Sequence, residues 1–248
     1  MLFCHITSRL EGAVDPELLT EKGGEGFPYV IEMDADGNKI AESEWPLDVA
    51  HFETMMGKGD EYFALKKKAD GGDKASKTDL LIRRMELGHL KFDEATKAVK
   101  ALSKPTDEQK KKLDALLVDA EVKNVLSALA GGHDDQKAMD VGKQLLEMKK
   151  AGRIPTSEKM MQPFWIVMMR YAEKEKDAAT FEEGYNALQA KFGDNPNAKG
   201  FFEKQKAILD SLKGVGSEDA GTPKDGDSGE EKKDGDDEGG KEEAPEGK

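Results

Sequence analysis

Thiols, imidazoles and paired carboxylates do most acid–base and nucleophilic work in proteins, and this 248-residue chain brings few of them close together in sequence. Cys4 is its only cysteine, so neither an internal disulfide nor a two-cysteine redox centre can form within the chain. Cys4 lies in Leu2–Thr7, an apolar run of strand length, with no helix N-terminus or cation next to it to lower its pKa. It is read as a small buried hydrophobe, with a reactive thiol as the alternative. His5 adjoins it, but neighbours on a strand point to opposite faces, which argues against a Cys–His pair. His5, His51, His89 and His133 are widely spaced and none falls in an H-E-x-x-H pattern, so no metal site is expected. His133-Asp134-Asp135 follows two glycines and reads as a helix N-cap rather than a ligand cluster. Asp34, Asp36 and Asn38 alternate as at the opening of a calcium loop, yet Gly37 precedes Asn38 and no glutamate follows at the required distance. A hairpin turn is the better account of them. Gly184 and the loop glycines form no G-x-x-x-x-G-K or G-x-G-x-x-G motif, so no phosphate cradle and no cofactor are expected.

The charge balance narrows the partners. The chain has 51 acidic and 38 basic residues, a formal −13. Gly214–Lys248 holds 13 acidic and 5 basic residues, with Val215, Ala220 and Ala244 as its only apolar side chains, and is expected to be a disordered acidic tail. Elsewhere lysines alternate with carboxylates, so there is no one-signed field to neutralise phosphates, and nucleic acid is not an expected partner. No apolar run reaches the roughly 20 residues that a membrane-crossing helix needs. Met1–Ile6 is too short for a signal peptide and has no basic leader. A cytoplasmic setting is the default; a periplasmic or secreted one follows if a leader precedes Met1.

The elements that must position these residues change character once. Leu2–Thr7 and Phe27–Met33 are strand-length runs, Lys39–Glu44 is a weaker third, and Asp36-Gly37-Asn38 supplies a hairpin turn between the last two. Short helices are expected from Asp15-Pro16 and over Asp48–Met56. Beyond residue 57 the text reads helix, breaker, helix down to residue 213. Ala138, Val141, Leu145 and Met148 form an amphipathic stripe. Thr106 and Gln109 form a capping box ahead of Leu113, Leu116, Leu117 and Ala120, and the offset set Val122, Val125, Leu126 and Leu129 implies burial on two faces. Breaks at Gly71-Gly72, Gly88, Lys104-Pro105, Gly131-Gly132, Gly152–Pro155 and Gly193–Pro196 leave seven or eight helices in an antiparallel array. Met160, Met161, Met168 and Met169, with Phe164, Trp165 and Tyr171, read as a buried helix face; the alternative is a plastic peptide-binding groove.

Gly23-Gly24-Glu25-Gly26-Phe27-Pro28-Tyr29-Val30-Ile31-Glu32-Met33-Asp34-Ala35-Asp36-Gly37-Asn38 resembles the second half of a thioredoxin-fold domain, where a Gly-x-Pro segment opens a strand that turns into its hairpin partner. Leu2–Thr7, Pro16–Lys22 and Asp48–Met56 take the places of the preceding strand, intervening helix and closing helix. The resemblance covers about the first 56 residues and implies a cis bond before Pro28, with Phe27 and Pro28 lining a substrate groove if the domain is complete. The strand, Cys-x-x-Cys loop and long helix that open such a domain have no counterpart after Met1. Leu80–Leu102 and Phe181–Pro196 weakly resemble tetratricopeptide-type helical hairpins, without a strict 34-residue period.

The expected fold class is α+β: a partial thioredoxin-like βαββα module over 1–56, a helical, repeat-like domain over 57–213 and the acidic tail over 214–248. The expected function is non-catalytic, an interaction protein that meets a protein or peptide partner through its helical domain. A thiol–disulfide oxidoreductase whose Cys-x-x-Cys half is encoded upstream of a misplaced start is the alternative.

Overall fold

A computed structural model describes residues 15, 17–24, 26–130 and 134–214. The expected Leu2–Thr7 strand with Cys4 and His5, Pro16, His133, and the acidic tail beyond Gly214 lie outside the described residues. Within them the chain is mostly helical, with one small antiparallel sheet.

The order is α1 (Leu18–Glu21), β1 (Ile31–Met33), β2 (Lys39–Glu42), α2 (Val49–Asp70), α3 (Lys74–Glu86), α4 (Phe92–Lys100), α5 (Asp107–Leu126), α6 (Asp135–Lys150), α7 (Glu158–Glu175), α8 (Ala178–Phe192) and α9 (Lys199–Leu212). Short 3₁₀ turns sit at Ser127–Leu129 and Pro196–Ala198. Asx and Thr caps start most of the longer helices: Asp48, Asp73, Thr106, Asp134 and Asp177 each accept a backbone N–H three residues on. Each such cap is worth about 1 kcal/mol against alanine. Thr106 and Gln109 form the capping box that their spacing implies.

Two expected elements differ in extent. Strand β1 begins at Ile31, with the first cross-strand bond at Val30, rather than at Phe27, where Pro28 has no N–H to give to a ladder. Helix α2 does not stop before Gly57 but continues to Asp70, so the change of period placed at residue 57 falls inside one unbroken helix. The continuation follows from packing. Met55, Gly59, Tyr62 and Ala69 are its buried positions, at spacings of 4, 3 and 7, and keep one face against the hairpin and α3. At Gly59 an added Cβ would sit within 2.6 Å of all three carboxyl atoms of Glu32, so a bare α-carbon is what lets β1 lie against the helix.

The apolar residues of the array form two clusters. The smaller joins Leu81, Ile82 and Leu113, with Met85, Leu90 and Leu116 packed around them. The larger fills the space between α5, α6, α7, α8 and α9. Helix α5 reaches both, its first half through Leu113 and its second through Val122, which accounts for its two offset apolar sets. In α7, Phe164, Trp165, Val167, Met168, Met169 and Ala172 are all buried. The methionine-rich segment is therefore core and not a groove: Met168 and Met169 are enclosed, and Met160 and Met161 pack against the same cluster. Gly184 of α8 lies where a Cβ would meet Met169 and Trp165, so its role is close helix packing.

Candidate functional site

The residues that the sequence marks out for a substrate groove lie just ahead of the hairpin. The Phe27–Pro28 bond is cis, Pro28 is exposed, and the Phe27 side chain is 62% exposed. A second cis bond, Trp45–Pro46, follows the hairpin, and Trp45 is 76% exposed.

Between these two aromatic side chains the hairpin is held by polar contacts. Asp34 makes the turn: its carboxylate accepts from the backbone N–H of Asp36 at 3.0 Å and of Asn38 at 2.8 Å, and from the Asn38 amide. Burial alone would raise the Asp34 pKa, but these hydrogen bonds outweigh it and hold the carboxyl below its ordinary value. Asp34, Asp36 and Asn38 are thus spent on a turn. Beside it, Lys39 Nζ donates to Glu42 Oε2 at 2.8 Å and to Tyr29 Oη at 3.0 Å. The Tyr29 hydroxyl in turn lies 3.0 Å from the Lys22 carbonyl oxygen and 3.2 Å from Glu42 Oε2. Burial raises the Tyr29 pKa despite Lys39. For Lys39, burial acts to lower the pKa, but the bonds to Glu42 and Tyr29 prevail and hold it above its ordinary value. The lysine stays charged and the phenol protonated near neutrality. The hydrogen bonds of the trio run among its own members and to the Lys22 carbonyl at the end of α1, which makes it a clasp between α1 and the hairpin rather than an acid–base pair.

Glu32, on the intervening position of β1, faces α2. Its Oε2 is enclosed against Gly59 and has no hydrogen-bond partner among the described residues. Burial, with the nearby Asp60 carboxylate second, raises its pKa. His89, in the α3–α4 connection, reaches the hairpin from the other side: Nε2 lies 2.5 Å from the Lys39 carbonyl oxygen, and the ring meets Tyr62 edge-on at 6.4 Å.

The backbone pattern then sets what each edge of the sheet can do. Ser43 donates to the Val30 carbonyl, and Glu32 pairs with Ala41. By the alternation of an antiparallel ladder, Ile31 turns its N–H and C=O away from β2. Past the register shift between Glu32 and Met33, Asp34 donates to Asn38, so Met33 faces outward as well. Lys39 faces the opposite way, and its carbonyl is the one that His89 meets. One edge of the hairpin meets the α3–α4 connection at the Lys39 carbonyl through His89, and the other, among the described residues, has no strand beside it.

The expected site residues are only partly brought together. Phe27 and Pro28 adjoin the hairpin, whereas Cys4 lies outside the described residues. Sequence reasoning passed over Trp45, although a tryptophan in the polar stretch Ser43–Pro46 is itself a signal, and over Glu32, whose enclosure depends on a glycine 27 positions away. Among the described residues no group of three or more His, Cys, Asp or Glu side chains is placed to hold a metal ion. No described helix is long and apolar enough to cross a membrane. An open cavity of about 280 Å³ lies between α7, α8 and α9, lined by Ile166, Leu188, Phe192 and Phe201 with Gln162 and Asn195. Comparison with family models, curated proteins and solved structures gives no match to this chain.

Proposed function

We propose that this chain is a thioredoxin-domain-like protein without a redox centre of its own, and that it works as a non-catalytic interaction protein. The observation that supports this reading is the distribution of uncovered apolar side chains. Phe27, Met33, Trp45, Val49, Met56 and Phe63 are the large hydrophobic side chains that the described residues leave exposed, and all lie between residues 27 and 63. Val49, Met56 and Phe63 recur every seven residues and so form one line along α2, a helix that belongs to the array as much as to the hairpin. Scattered exposed hydrophobes are ordinary, but a set confined to one stretch and partly aligned along one helix supports a binding surface.

The test has two arms. The purified chain is expected not to reduce insulin disulfides in the presence of dithiothreitol, and turnover above background overturns the non-catalytic assignment. Binding of an apolar dye such as anilinonaphthalene sulfonate is expected to fall several-fold in the Trp45→Ser, Met56→Ser, Phe63→Ser triple variant; unchanged binding removes the surface. The second reading, a thiol–disulfide oxidoreductase with its Cys-x-x-Cys encoded upstream, is favoured by the exposed Phe27 next to Pro28 in the order that the resemblance implies. An in-frame upstream segment encoding an apolar strand followed by Cys-x-x-Cys decides between the two.

A further inference from the structure

We draw no further inference here: the strongest candidate, the open cavity between α7, α8 and α9 lined by Ile166, Phe192 and Phe201, carries nothing because nothing in the structure shows what covers it.

Discussion

The two tryptophans divide the molecule. Trp165 is 4% exposed in α7, packed edge-on to Phe164 at 5.2 Å and enclosed by α6 and α8. Trp45, which follows the hairpin and precedes cis Pro46, has no such enclosure among the described residues and is 76% exposed. The same contrast runs through the regions around them. The array stacks five helices about one apolar cluster, so each aromatic side chain finds partners on two or three elements. Among the described residues the hairpin packs on α2 through Ile40 and Ala41 and is tied further by polar clasps, the Tyr29–Lys39–Glu42 trio to α1 and the His89–Lys39 contact. Coverage of a large side chain depends on how many elements converge on it as well as on how apolar its segment is. The hairpin on α2 buries Ile40 and Ala41 but leaves Met33 and the flanking Phe27 and Trp45 exposed.

Several measurements would sharpen or break this contrast. The largest effect is expected at Phe164, which is fully buried: Phe164→Ala should cost about 3–5 kcal/mol in chemical denaturation, while Trp45→Ala should stay within about 0.5 kcal/mol. Equal losses would mean that Trp45 is packed after all. Next comes the glycine pair. An added Cβ at Gly184 would lie 2.7 Å from Met169, so Gly184→Ala should cost about 1–3 kcal/mol. At Gly57 the same methyl group meets open space, so Gly57→Ala should stabilise α2 by up to about 1 kcal/mol. Removing the imidazole with His89→Ala should cost about 1 kcal/mol and speed amide exchange in Lys39–Glu42 more than in α7. Uniform acceleration across both regions would show that His89 supports the whole fold rather than the hairpin.

The smallest effect is a pH dependence at Glu32. Its folded pKa is raised by burial, so the folded state holds its proton over a range where the unfolded chain has released it. Glu32 therefore favours folding below its ordinary carboxylate pKa, and that contribution is lost as pH rises through the higher folded value. Glu32→Gln should flatten this slope, leaving the hairpin relatively more stable near neutrality than in the unsubstituted chain; thermal melts at pH 4 and pH 7 compare the two. A slope unchanged by the substitution would assign the pH dependence to another carboxyl.

Much of the local structure was legible in the sequence because it depends on neighbours a few residues apart. The Asp34–Asn38 turn, the capping box at Thr106 and Gln109, the breaks at Gly71-Gly72, Gly88 and Gly152–Pro155, and the helical stripe through Val141, Leu145 and Met148 all follow from turn chemistry and the 3.6-residue period. The extent of α2 was not legible, because the change of period placed at residue 57 falls inside the helix, whose continuation depends on Glu32 packing against Gly59. The choice of core over groove for the methionines of α7 likewise rested on whether α6 and α8 close over them, which no spacing within α7 reveals.

By itself, the sequence determined where backbone direction changes and which residues share a face, since both are set by short-range sterics and hydrogen bonding. Which faces are covered, and that His89 meets the hairpin at Lys39, came from the tertiary arrangement alone. Those depend on the convergence of segments far apart in the chain, and that convergence is fixed by packing rather than by any local pattern.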